Sequence, residues 1–265
     1  MEPVLSNPTS DRVKKVRALH RRSSRERAGQ FLAEGPQSVR EVLRFAPGTV
    51  DAVYYVRGER SAELVELAAQ RGVTTRECTP EVLAQMCEAQ HPQPVVAVVR
   101  PVSVSLDEAL AGDGYVVVLT NVRDPGNAGT VIRGADAAGA RCVLISDSSV
   151  DIENPKVVRS TVGSLWHLPI HTGSSIEEIF AACRDAGLLL LAADGVGEQL
   201  LPDTDLTRPH AWVIGNEAWG LEPEVRDACD EVVRVPIYGH AESLNLAMAA
   251  TVCMYASAAA TQTTD

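Results

Sequence analysis

Nowhere in the sequence do about eighteen apolar residues follow one another, so no membrane span is expected. The N-terminus is polar and then basic, without the apolar core of a signal peptide. Six cysteines (Cys78, Cys87, Cys142, Cys183, Cys229, Cys253) are scattered, with no CxxC pair and no clustered histidine. That usage points to reduced thiols in the cytoplasm rather than a disulfide framework or a zinc site. The six histidines show no ligand spacing, so no metal is expected, and His167 and His240 read as packing or turn residues. No GxGxxG follows a strand-like run, which counts against a nicotinamide enzyme. GxSxG and GxxxxGK[ST] are also missing, so hydrolase and P-loop readings lack their residues. There is no internal repeat.

What the sequence does have is an uneven charge distribution. Net charge is −11, yet residues 1–105 hold 15 Lys/Arg against 12 Asp/Glu, and the remainder 9 against 23. Within residues 1–45 the basic side chains concentrate around Arg12, Lys14 and Lys15, then Arg21, Arg22 and Arg25. Nucleic-acid affinity comes from local phosphate-neutralising patches rather than total charge, although such a run also suits a solvated helix face.

Hydrophobic periodicity divides the 265 residues into two parts. In residues 1–105, a helix over 11–29 leads to a strand at Phe31–Glu34 and a helix from Pro36 to Phe45. A strand (Val50–Val56), two helices (Ala62–Arg71, Pro80–Ala89) and a strand (Pro94–Val99) complete a small α/β domain. A linker near Arg100–Asp107 opens the second domain, 106–265. There five apolar runs recur, at Tyr115–Thr120, Arg141–Ser146, Leu188–Ala193, Ala211–Gly215 and Glu231–Ile237; most lack polar alternation, as expected of strands buried on both faces of a parallel sheet. Helical stretches lie between them (Val131–Ala138, Lys156–Leu165, Ser175–Ala186, Pro223–Cys229), and an Ala-rich helix and polar tail end the chain.

Three blocks stand out in the second part: Asn121-Val122-Arg123-Asp124-Pro125-Gly126-Asn127 running on to Arg133, Ile214-Gly215-Asn216-Glu217-Ala218-Trp219-Gly220-Leu221, and Val235 to Ala247 with Ser243-Leu244-Asn245. Strand ends in α/β sheets are where ligands bind. In order and spacing, over about residues 115 to 255, these blocks resemble the three motifs of SpoU-type RNA ribose methyltransferases of the SPOUT superfamily. Arg17-Ala18-Leu19 with Gly29 to Gly35 resembles the substrate-binding domain often fused to them, which has the fold of the L30e ribosomal RNA-binding proteins.

The resemblance implies an L30e-like α/β domain followed by a SPOUT α/β domain with a parallel sheet and a C-terminal trefoil knot, from about Gly215, and an obligate homodimer. General topology rules make knots very improbable, so that expectation rests on the family alone. Apolar positions Leu244, Leu246, Met248, Val252, Met254 and Tyr255 suit either the dimer interface or the monomer core. The implied activity is S-adenosylmethionine-dependent 2′-O-methylation of structured RNA. Ribosomal RNA is preferred, since a fused L30e-like domain in this family often accompanies rRNA modification, as in the enzymes that protect 23S rRNA against thiopeptide antibiotics. Transfer RNA is the alternative substrate, and a non-catalytic RNA-binding or ribosome-assembly protein the alternative class.

By motif position, Arg133 is the catalytic arginine, acting on cofactor bound to the other protomer. An arginine is an awkward general base, its pKa lying above about 12, so it is expected to orient and acidify the hydroxyl. Asn127, Glu217, Ser243 and Asn245 are the other implied active-site residues. The turn Ala193-Asp194-Gly195, with Gly215, Val235 and Leu244, is the implied cofactor site, its glycines letting backbone approach the ligand. Each residue also has an ordinary structural role open to it: Asn127, Ser243 and Asn245 as helix caps, Arg133 as a surface ion pair with Asp136. Arg159 and Ser160 sit where the family often carries polar residues near substrate.

Overall fold

The computed structural model describes residues 3–89 and 91–261, and the polar tail proposed from sequence lies partly outside them. The chain forms two compact units, Met1–Val102 with Asp151–His167, and Ser103–Val150 with Leu168–Asp265. The segment Asp151–His167, which follows the expected boundary near residue 105 in sequence, packs with the first unit.

The first unit runs α1 (Asp11–Ala18), α2 (Arg22–Ala28), β1 (Phe31–Glu34), α3 (Pro36–Phe45), β2 (Val50–Tyr55), α4 (Glu59–Gln70), β3 (Thr75–Glu77), α5 (Pro80–Met86) and β4 (Val95–Val99). Its sheet has the order β1-β4-β2-β3, with β4 antiparallel to both neighbours. Val13, Val16 and Leu19 of the first helix pack with Val82, Leu83 and Met86 of α5 on Leu32, Tyr54, Val96 and Val98. The single helix expected over 11–29 is two. Leu19 is buried at the corner, and the Arg25 guanidinium takes the Leu19 and His20 carbonyls, both at 3.0 Å, where a continuous helix would have bonded them internally.

The second unit contains α6 (Leu106–Ala109), β5 (Val116–Leu119), α7 (Pro125–Ala137) and β6 (Cys142–Ile145). The chain then contributes α8 (Pro155–Thr161) to the first unit, where Arg159 pairs with Glu34 and Glu88. The Ser160 hydroxyl bonds back to the Lys156 carbonyl. Thus Arg159 and Ser160 serve the first unit's own architecture. The second unit resumes with β7 (Ile170–Thr172), α9 (Ile176–Asp185), β8 (Leu189–Ala193), β9 (Gln199–Leu200), β10 (His210–Ile214), α10 (Pro223–Asp227), β11 (Glu231–Arg234) and α11 (Leu246–Thr261). All five apolar runs are strands. The short edge strands β7 and β9 carry too few residues to show a pattern.

The sheet order is β7-β6-β5-β10-β8-β11-β9, every pairing parallel. One face packs on Ile179, Phe180 and Cys183 of α9. Helices α7 and α11 lie against each other, closely enough that a Cβ on Gly134 would stand 2.9 Å from Met254 Cε and 3.2 Å from Thr251 Oγ1. Met254 is buried and Leu244 and Leu246 are half-buried, whereas Met248, Val252 and Tyr255 are exposed along one stripe of α11.

Helix α11 is fastened by a buried triad. Ser257 Oγ meets His210 Nε2 at 2.7 Å and accepts Trp212 Nε1 at 2.8 Å. Burial lowers the His210 pKa from its ordinary 6.5, opposed by the Arg208 carbonyl and Asp205. The ring is therefore neutral, donating from Nδ1 to Arg208 and accepting the serine hydroxyl. Replacing Ser257 with alanine leaves two buried ring nitrogens unpaired and is expected to cost about 1–3 kcal/mol, measurable by urea unfolding. Because the folded pKa lies below the unfolded one, His210 costs no stability above 6.5, and stability falls as pH drops from there toward the folded value.

All six cysteines are unpaired, and burial pushes the thiols of Cys78, Cys87, Cys142, Cys229 and Cys253 up to about 12. Among the described residues no helix is long and apolar enough to cross a membrane, and no His/Cys/Asp/Glu group of metal-binding geometry occurs.

Candidate active site

Strands β10, β8 and β11 are consecutive parallel neighbours, so their C-terminal ends open at the same edge of the sheet. The three turns that follow them line a cavity of about 570 Å³. Ala193, Asp194 and Gly195 contribute from the end of β8, Gly215 and Glu217 from β10, and Val235, Ser243 and Leu244 from the segment after β11. Every residue assigned to the cofactor from sequence lies on this wall.

The turn after β10 closes on itself, Asn216 and Gly220 exchanging backbone hydrogen bonds at 2.7 and 3.0 Å. A Cβ on Gly215 would stand 2.3 Å from the Gly220 carbonyl oxygen, so only glycine fits. Gly220 has φ +72°, the left-handed region. The Asp194 carboxylate ties the turns together, accepting the Leu221 amide at 3.2 Å and the Val196 amide at 3.2 Å. At Gly195 and Gly239, by contrast, a Cβ would meet nothing within 4 Å, leaving bare backbone.

Beside the cavity runs a hydrogen-bonded chain of three candidate residues. Strand β5 neighbours β10 on the other side, which brings the loop after β5 to Glu217. The Glu217 carboxylate accepts the Asp124 amide at 2.9 Å, the Arg123 amide at 3.3 Å and Asn127 Nδ2 at 3.3 Å. Asn127 Oδ1 in turn accepts Asn245 Nδ2 at 3.1 Å. Burial pushes the Glu217 carboxyl up, but hydrogen bonds from Asp124, its own backbone, Arg123 and Asn127 outweigh that and hold it below its ordinary range.

Capping roles separate from site roles here. Asp124, not Asn127, caps α7, accepting the Asn127 amide at 2.7 Å with Pro125 in the first turn. The Asn127 side chain is thereby left to bridge Glu217 and Asn245. Asn245 does both, its oxygen accepting the Ala247 and Met248 amides while its nitrogen reaches Asn127. Ser243 is exposed and lines the cavity. Arg133 is exposed on α7, and the described contacts bring it neither onto the cavity wall nor into the Glu217–Asn127–Asn245 chain.

Two supporting residues were missed. Buried Asn216 donates Nδ2 to the Asn121 carbonyl at 2.8 Å and accepts the Ala218 amide at 2.8 Å. Asp124 is the other, and Asp before Pro is itself a helix-start signal.

The six basic residues assigned to RNA divide in the first unit. Arg25 is 3% exposed and paired with Asp151, so it is withdrawn from any surface. Lys14 pairs with Asp11 at 3.6 Å and Arg22 with Glu26 at 2.9 Å, all four exposed. Arg21 is exposed at the start of α2. Arg12 and Lys15 face a second cavity.

Residues 114–255 match the SpoU rRNA Methylase family. The chain belongs to that family. Residues 10–97 match the MRM3-like substrate binding domain. Among SpoU relatives, the chain is 34% identical over 246 residues to a Streptomyces viridochromogenes protein named 23S rRNA (uridine(2479)-2′-O)-methyltransferase, covering 89% of this chain and 85% of that protein. It is 31% identical over 255 residues to the Bacillus subtilis protein named 23S rRNA (guanosine(2553)-2′-O)-methyltransferase RlmP, covering 95% and 97%. Its fold matches the SpoU methyltransferase AviRb from Streptomyces viridochromogenes in complex with the cofactor AdoMet, with TM-score 0.83 and 32% identity over 94% of this chain and 98% of that one. The AdoMet-bound rRNA methyltransferase from Sinorhizobium meliloti matches with TM-score 0.85 and 29% identity, covering 96% and 97%.

Proposed function

We propose that this chain methylates the ribose 2′-hydroxyl of RNA with S-adenosylmethionine, that its substrate is 23S rRNA, and that it acts in the cytoplasm as a homodimer. The observation that carries the methyl transfer is the meeting of the strand-end cavity with the Glu217–Asn127–Asn245 chain in one unit, and the 23S rRNA substrate is supported by the relatives named above.

The cavity fits the cofactor. About 570 Å³ lies within the usual span of small-molecule sites. Gly195 and Gly239 leave room for backbone to approach adenosine, and the carboxylates of Asp194, Glu217 and Glu242 around it suit a cationic sulfonium. Ala193, Asp194, Gly195, Gly215, Val235 and Leu244 would hold the cofactor. When bound, it supplies an electrophilic methyl group: the ribose oxygen forms the new C–O bond as the S–CH₃ bond breaks to leave a thioether.

The chain's own residues prepare the hydroxyl. Arg133, a fixed positive charge lying off its own protomer's cavity, orients the hydroxyl at the cofactor site of the other protomer and favours loss of its proton, which an RNA phosphate receives. Glu217, Asn127 and Asn245 hold the starts of α7 and α11 rigid, and Ser243 positions the hydroxyl. The exposed stripe Met248, Val252 and Tyr255 on α11 serves the dimer interface. The C-terminal segment forms a trefoil knot, supported by the family and by the place of β11 between β8 and β9. The unit containing residues 10–97 grips the RNA, and the unit containing residues 114–255 carries out transfer.

The test is incubation with tritiated S-adenosylmethionine and separate pools of unmodified rRNA and tRNA, followed by nucleoside mass spectrometry. A labelled 2′-O-methylnucleoside from the rRNA pool is expected, and label confined to tRNA would overturn the substrate. Failure to bind cofactor in calorimetry would sink the enzyme. Arg133→Ala is expected to lower transfer about a hundredfold, the scale of losing one transition-state charge contact, with cofactor affinity retained.

A further inference from the structure

The first unit carries a cavity of about 630 Å³ that plays no part in methyl transfer. Its lining comes from both helices of the Leu19–Arg21 corner and from the inner face of the sheet. Val16, Leu19, Ala52, Tyr54 and Val98 make an apolar floor. Ser24 and Gln30 add a hydroxyl and an amide, and Arg12, Lys15 and Arg27 are exposed around it.

The charges sort in an informative way. Lys14, Arg22 and Arg25, their neighbours in sequence, are all ion-paired. Arg12, Lys15 and Arg27 have no carboxylate partner among the described residues. The one acidic side chain on the wall, Asp51, is engaged by Gln30 at 2.6 Å and by Arg100 at 3.4 Å. An apolar recess with unneutralised cations around it suits an anion that carries a flat apolar group. A nucleotide is such a molecule. A duplex keeps its bases stacked inside and offers only phosphates to a surface, whereas unpaired bases are splayed out and bound one by one.

We propose that this cavity takes one unpaired nucleotide of the RNA, with Arg12, Lys15 and Arg27 on its flanking phosphates and the base against the floor. The proposal rests on the RNA-methylating function above and names the form of RNA that the first unit reads.

The test uses the full chain, a labelled unstructured RNA oligonucleotide and a blunt RNA duplex of equal length. Ala28→Phe fills the cavity from an exposed position on α2. It is expected to weaken oligonucleotide binding about tenfold, the scale of losing one base contact, with the salt dependence and the duplex affinity unchanged. Ser24→Met is the second filling variant, should Ala28→Phe lower the melting temperature. The triple variant Arg12→Ala, Lys15→Ala, Arg27→Ala should flatten the slope of log affinity against log salt by about 2, at roughly 0.7 per phosphate on a single strand.

Oligonucleotide affinity unchanged by a folded filling variant overturns the proposal, even if the triple variant weakens binding, since that leaves a flat phosphate surface. An unchanged salt slope in the triple variant overturns it as well. The methylation assay run in parallel separates the two ideas. Oligonucleotide binding sensitive to cavity filling, without methyl transfer by the parent protein, would remove the enzymatic function and keep the pocket. Transfer with no pocket effect would do the reverse.

Discussion

Glu217→Gln is expected to lower methyl transfer to RNA by about ten- to a hundredfold while the protein stays folded. The carboxylate accepts three donors: two loop amides and Asn127 Nδ2. A glutamine carbonyl can accept at most two, and its NH₂ would face a donor in place of the third. Hydrogen bonds to a charged acceptor contribute about 1.5–3 kcal/mol each, and about 1.4 kcal/mol is tenfold in rate. The loss should therefore reach the loop Asn121–Asp124 and, through Asn127, the start of α11 at Asn245. Single-turnover rates at saturating cofactor and RNA would read it, and a rate equal to that of the parent protein would remove the chain from the mechanism. Since hydrogen bonding holds the Glu217 carboxyl below its ordinary range, the clamp stands at neutral pH and opens only as pH falls through that lowered value.

Arg25→Ala should be the most damaging change in the first unit, costing about 3 kcal/mol, the lower end for breaking a buried ion pair because Asp151 stays partly exposed. At roughly 2–4 °C per kcal/mol for a protein of this size, the melting temperature should drop by about 6–12 °C. The substitution strands the Asp151 carboxylate and the Leu19 and His20 carbonyls, and Arg25→Lys cannot restore the planar fork that reaches all three. A pH signature identifies the cause. Burial, with repulsion from Asp151, raises the Glu153 carboxyl to about 6, and Arg25 opposes the rise. A raised carboxyl stabilises the fold below its unfolded value, and that contribution is lost as pH climbs through the folded one. Without Arg25 the loss is larger, so the deficit of the variant should shrink on moving from neutral pH toward 5. A deficit independent of pH would exclude this account. RNA affinity is expected to change far less than in the Arg12, Lys15 and Arg27 variant, because Arg25 is 3% exposed.

That contrast marks a limit of reading charge from sequence. Arg21, Arg22 and Arg25 form one basic run, yet the first is exposed, the second pairs along its own helix and the third is buried. Their fates follow from the break after Ala18, which local periodicity does not register: Val13, Val16 and Leu19 keep a helical spacing up to the corner itself. Arg27, which faces the cavity with Arg12 and Lys15, carries no separate signal. The return of Asp151–His167 to the first unit is equally silent, because its helix looks like any other in an α/β alternation.

Other features needed no coordinates. The apolar runs, most of them without polar alternation, determined the central strands, since burial on both faces leaves no place for polar side chains; β11, with Glu231 and Arg234, is the partly exposed exception. The three blocks marked the turns that line the candidate site, because turns at strand ends call for glycine and short polar residues locally, whatever lies beyond. Tertiary structure alone decided which residues those turns join. The order β5-β10-β8-β11 sets four strand ends side by side, so Glu217 meets Asn127 and Asn127 in turn meets Asn245, while Arg133, on the same helix as Asn127, stays outside that chain. Partnership across a parallel sheet depends on strand order, and no local pattern of residues encodes it.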